Sequence, residues 1–234
     1  MTSLRIPARF NGPPGSANGG YTCGLVARAL GVASAEVSLR APPPLESDLT
    51  VARFGAGVNV RDGDTLVAEG RATDPPPDLT EPVDPDRAGK AACGGYERWS
   101  AAHPFPTCVV CGPDRDDGLG VFPGPMGDGR FATSWTPDAA LAGPGGTVLP
   151  EVVWAALDCP TSAPLANFGE GPPIVLARLT ASLEAPVPAG EPHALVSWEL
   201  GRDGRKREAA CALFDARGKV LARSRALWIE LRSE

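Results

Sequence analysis

Apolar residues recur along this chain with two periods, helical and strand-like, and the same order of elements is met twice. After a Gly/Pro-rich loop, Phe10 to Ala17, the residues Leu25, Val26, Ala29 and Leu30 form one apolar face at helical spacing. This predicts a helix entered through Asn18-Gly19-Gly20, with Asn18 as N-cap and Gly31 as the stop. The run Ala35-Glu36-Val37-Ser38-Leu39 then alternates as a strand does. The second passage begins at the loop Gly143-Pro144-Gly145-Gly146 and enters a helix through Leu149-Pro150-Glu151. Pro150 suits the first helical position, and Glu151 complements the positive helix end. Val152 to Leu157 is apolar all round, so this helix should be buried, and Pro160 should kink or end it. Strand-like runs begin again at Ile174 to Leu179, with hairpin signals at Gly55-Ala56-Gly57, Asp62-Gly63, Asp203-Gly204 and Arg217-Gly218.

The two passages also end alike, since Asp62 to Ala72 parallels Asp215 to Ala226. A repeat of this length implies two similar folded halves, each one helix followed by several antiparallel strands, which is an α+β pattern. The division expected is a first half over 1–73, a Pro/acid-rich linker over 74–106 and a second half over 107–234. Asp74-Pro75-Pro76-Pro77-Asp78 opens the linker, where prolines forbid regular ladders. Function is to be sought where the halves meet.

Loop, Asn-Gly-Gly, buried helix and antiparallel sheet together resemble the hot dog fold, and the doubled arrangement resembles the double hot dog acyl-CoA thioesterases. Gly12-Pro13-Pro14-Gly15 to Leu30 is similar to their N-terminal half, and Cys108-x-x-Cys111-Gly112 with Gly118-Leu119 to the opening of some of these domains. The resemblance implies two tandem hot dog domains, each a curved sheet round a central helix. Single-domain members read His-Gly-Gly at the helix start, with an acid nine residues after the His. Here Asp158 stands nine residues after Leu149, whereas Ala27 stands nine after Asn18. The resemblance therefore implies one intact composite site: Asp158 of the second half against Gly19 and Gly20 of the first. The opposite site, Ala27 against the Leu149-Pro150-Glu151 end, should be dead. The activity implied is hydrolysis of acyl-CoA or acyl-carrier thioesters without a cofactor. A helix N-terminal N–H would stabilise the carbonyl oxygen, and Asp158 would activate water or attack directly. Asn11 and Asn18 are candidates to orient the carbonyl. The runner-up is an acyl-thioester or lipid-binding protein that has lost turnover.

Composition alters this picture little. A formal charge of −6 and the lack of a basic patch argue against nucleic acid, and no stretch approaches a membrane span. With no export signal visible, a cytoplasmic protein with reduced thiols is expected from the six cysteines. Cys93, His103, Cys108 and Cys111 have a spacing that could surround zinc. Lacking a second Cys-x-x-Cys, they are assigned as thiols in a linker turn, with no metal. His103 and His193 are read as loop histidines. Arg202 to Arg207 is read as a solvated hairpin turn rather than a seat for coenzyme A phosphates. Whether such bodies assemble further through their sheet edges is left open.

Overall fold

The computed structural model of the chain describes residues 2–166 and 171–232. The first half contains β1 (Thr2–Arg5), α1 (Gly19–Leu30), β2 (Ser34–Leu39), β3 (Asp48–Phe54), β4 (Gly57–Asp62) and β5 (Thr65–Ala72). After α2 (Pro85–Ala102) come β6 (Gly124–Pro125), β7 (Arg130–Trp135), α3 (Pro150–Asp158), β8 (Ile174–Leu183), β9 (His193–Asp203), β10 (Lys206–Phe214) and β11 (Val220–Glu230). The eleven strands of the described residues join one sheet in the order β1-β3-β4-β5-β2-β8-β11-β10-β9-β7-β6.

Read outward from its centre, that order is β2-β5-β4-β3-β1 on one side and β8-β11-β10-β9-β7 on the other, so each strand of the first half has a counterpart in the second. The seam is the antiparallel pair β2–β8, with Val37 opposite Leu179. Alternation sets which face is covered: Leu49 and Val51 of β3 and Val58 and Val60 of β4 are buried, while their neighbours are more exposed. The duplicated chain ends become the equivalent strands β5 and β11, entered through Gly63 and Gly218, both at positive φ.

α1 and α3 pack on each other and on the sheet, inside one apolar cluster that spans both halves. The Asn18 side chain accepts from the Tyr21 N–H, and Gly31 closes α1 in the left-handed conformation. Gly20 and Gly24, one turn apart, lie against α3, where a Cβ on Gly24 would come within 2.5 Å of Glu151 Cα. Their missing side chains let the two backbones touch.

The stretch expected as a linker holds a helix of 18 residues. Asp84 caps it by accepting from the Arg87 N–H, and Pro85 sits in its first turn. α2 lies against β6 and β7, where Gly95 and Gly124 allow backbone-to-backbone contact. Among the described residues no helix is long and apolar enough to cross a membrane.

Candidate functional site

Three N–H groups at the start of α1 have no partner within the helix, and the structure gives each a different fate. Tyr21 N–H is capped by Asn18 Oδ1 at 2.8 Å. Gly20 N–H donates to Asp158 Oδ2 at 2.8 Å, across the two halves. Gly19 N–H has no hydrogen-bond partner among the described residues, and Gly19 lines a cavity of about 670 Å³. Asp158, Asn18, Leu39, Leu176 and Trp228 also line this cavity.

Asp158 is 2% exposed. Its Oδ2 also accepts from Asn18 Nδ2 at 3.3 Å, whereas Oδ1 has no partner among the described residues. Burial pushes its carboxyl up to about 7 against the opposing Gly20 N–H, with Cys108 adding to the rise and Asn18 opposing it. One oxygen is thus anchored and the other is free.

Pro160 does end α3, as its lack of an N–H requires, and the chain turns through a short 3-10 segment, Cys159–Ser162. The carboxylate keeps its aim because that turn is tied to the sheet. Thr161 Oγ1 donates to the Asp158 carbonyl at 2.6 Å and accepts from Trp228 Nε1 at 2.8 Å, while Ser224 Oγ donates to the Leu157 carbonyl at 3.1 Å. Sequence reasoning passed over Thr161 and Trp228. Replacing Thr161 with Val, which has nearly the same shape, strands the buried indole N–H and the Asp158 carbonyl. A loss of about 1–3 kcal/mol in denaturant unfolding is expected, and an unchanged midpoint would show that the turn needs no such tie.

Asn11, expected beside the substrate carbonyl, lies apart. Its Nδ2 donates to the Thr107 carbonyl at 2.9 Å and its Oδ1 accepts from Arg115, and it is absent from the cavity wall. At the opposite end of the helix pair, Pro150 supplies no N–H at the position equivalent to Gly19. Glu151, only 3% exposed and equivalent to Gly20, is ion-paired with Arg28, the neighbour of Ala27. That end has no N–H at the Gly19 position, and of the Glu151 carboxylate one oxygen is taken by Arg28 while Oε2 has no partner among the described residues.

The remaining candidates divide. Arg202 and Arg207 flank the β9–β10 turn and pair with Glu199 and Glu230, and none of the four lines the cavity. His193 is no loop residue: it opens β9, is buried, and its Nε2 lies 2.9 Å from the Pro188 carbonyl. His103 caps the end of α2 and lines the cavity, with Nε2 at 3.2 Å from Cys111 Sγ. Cys108, Cys111 and Cys159 are buried together beside Asp158, and Cys93 is exposed elsewhere. Hydrogen bonds from Cys111 and Cys159 hold the Cys108 thiol well below its ordinary range, while burial pushes Cys111 up.

Two units of one helix on an antiparallel sheet, joined edge to edge with the helices in contact, form the double hot dog fold. No family model matches the chain, and no curated protein matches it. Solved structures do. A provisionally named thioesterase from Novosphingobium aromaticivorans aligns with a TM-score of 0.63 at 13% identity, covering 98% of this chain and 95% of that one. The tesB protein of Mycobacterium avium subsp. paratuberculosis gives 0.60 at 13% identity over 98% and 92%. A hot dog protein of unknown function from Alicyclobacillus acidocaldarius gives 0.61 at 11% identity over 99% and 93%.

Proposed function

We propose that the chain hydrolyses acyl-CoA or related acyl thioesters at one composite site between its halves. The observation that carries this reading is that Gly19, whose helix-terminal N–H has no partner among the described residues, and Asp158, whose buried Oδ1 has none, both line the same cavity. A thioester carbonyl resting on Gly19 N–H would have its developing negative charge met by the positive end of α1. Glycine suits that position because no Cβ holds the substrate away. Asp158 Oδ1 would either take a proton from the attacking water or attack the carbonyl carbon itself. In both routes Gly20 N–H and Asn18 fix the carboxylate through Oδ2. The acyl group would lie along the apolar wall made by Leu39, Ile174, Leu176 and Trp228. The fold shared with thioesterase-named structures supports the class of reaction.

Thiol release from a panel of short, medium, long and aromatic acyl-CoAs tests the proposal. Turnover of at least one member is expected, with chain-length preference moving to shorter acyl groups in Leu176→Trp, which fills the cavity wall. Saturable binding with no thiol release from any member would replace the hydrolase with a binding protein. Single turnover in ¹⁸O-labelled water tests direct attack, since an anhydride opened by water at the aspartyl carbon leaves ¹⁶O in the first product, whereas water activated by Asp158 puts ¹⁸O there.

A further inference from the structure

Three of the six cysteines converge although sequence spacing joins only two of them. Cys108 and Cys111 lie on one turn, and Cys159 is delivered by the segment that follows α3. Their sulfurs all lie within 4.8 Å of one another, with 3.8 Å between Cys108 and Cys159, and none is in a disulfide. A zinc ion bound at about 2.3 Å to tetrahedral thiolates needs sulfurs about 3.8 Å apart.

The groups around the sulfurs point the same way. Phe105 N–H donates to His103 Nδ1 at 2.8 Å, so the neutral ring carries its proton on Nε2, which faces Cys111 Sγ at 3.2 Å. Asn18 Oδ1 is occupied by the Tyr21 N–H, so the Asn18 amide turns its Nδ2 to Cys108 and Cys159, 3.8 Å from each sulfur. His103 thus directs an N–H at Cys111, and the Asn18 amide, whose two hydrogens also serve Asp158 Oδ2, lies within reach of the other two sulfurs. Donors of this kind stabilise anionic sulfur and orient metal ligands from behind. Neutral thiols buried for packing alone need no such surround.

We propose that Cys108, Cys111 and Cys159 form a zinc site of three thiolates whose fourth position is taken by an exchangeable ligand from the cavity. Soft sulfur donors select zinc over the hard cations, and three protein ligands leave one place open. His103 is a positioning residue, donating to the Cys111 sulfur rather than binding the ion. All three cysteines and His103 line the cavity that holds Asp158. This replaces the sequence-based assignment of Cys93, His103, Cys108 and Cys111 as thiols of a linker turn, in which Cys159 had no part. The proposal stands or falls independently of thioester hydrolysis, because its readout is metal binding.

The test uses the full chain, freed of any tag and purified from zinc-supplemented cells without chelator. Elemental analysis is expected to give about one zinc per chain. Cobalt added to the chelator-treated chain is expected to produce a thiolate charge-transfer band and the visible bands of a four-coordinate site. Cys159→Ser should lose the cobalt band, Cys93→Ser should keep it, and His103→Phe should weaken zinc binding about 10–100-fold without abolishing it. If Cys159→Ser fails to fold, the cobalt spectrum of the unaltered chain decides alone. A folded chain with all thiols reduced that takes up neither zinc nor cobalt overturns the proposal. So does a disulfide among these three residues, or a cobalt spectrum unchanged in a folded Cys159→Ser.

Discussion

Asp158→Asn is expected to lower kcat on the best acyl-CoA substrate about 10²–10⁴-fold, the usual yield of a positioned acid or base. The substitution keeps the volume of the side chain and an oxygen able to accept from Gly20 N–H, so the helix contact survives. What it removes is the second carboxylate oxygen, which the structure leaves without a partner. A buried negative charge is removed with it, so the melting temperature should stay near that of the unaltered chain. Because Asp158 would, in the proposed mechanism, act on the reacting carbonyl rather than on the acyl tail, KM should change far less than kcat. Paired kcat and KM measurements with a thermal melt on the same preparation check this. Equal turnover in both proteins would remove Asp158 from the mechanism while leaving the cavity as the binding site.

Gly20→Ala is expected to damage the helix pair far more than Gly19→Ala. A Cβ there would sit 2.7 Å from the Trp154 carbonyl oxygen and 3.0 Å from Ala155 Cα, with Asp158 Cβ nearer still. These are backbone and Cβ atoms, which cannot swing aside, so α1 and α3 must part. Overpacking of this kind costs about 1–3 kcal/mol. The same movement stretches the Gly20 N–H bond to Asp158, so turnover should fall together with stability. Gly19→Ala provides the contrast: its Cβ would meet the end of the Leu176 side chain at 2.8 Å, a neighbour able to turn away. Denaturant unfolding of the two variants should rank them in that order. Equal midpoints would mean that the α1–α3 contact yields more easily than its geometry implies.

The duplication was legible because it is written in local chemistry. Asn18 capping α1, Gly31 closing it and Gly63 and Gly218 turning the hairpins are each dictated by a residue's own conformational preferences. Asp158 is legible through the resemblance to hot dog thioesterases, whose acid stands nine residues after the helix-start His, and the structure sets it beside Gly20 N–H. α2 was missed although Asp84 and Pro85 announce it, because Gly89, Gly94 and Gly95 weaken its helical pattern. Its stability comes from burying Ala88, Gly95 and Trp99 against β6 and β7, contacts that are made only after folding. The sulfur cluster was illegible for the same reason. Nothing along the chain couples Cys159 to Cys108, 51 residues away, until Pro160 ends α3 and turns the chain beside that loop. Asn11 shows the converse, a polar residue in a promising stretch whose amide is taken up by Thr107 and Arg115.

The seam between β2 and β8 carries a consequence for inheritance. In a dimer of identical subunits every substitution appears twice, so neither end of the paired helices can change without the other. Here the two ends are encoded separately. Pro150, Ala27 and the Arg28–Glu151 pair could accumulate at one end while Gly19 and Asp158 stayed at the other. Under the proposed function one molecule would carry a single working site, one substrate per two structural units. If the proposed site is the working one, the other end would be released from catalytic selection, and its Arg28–Glu151 pair joins the two halves.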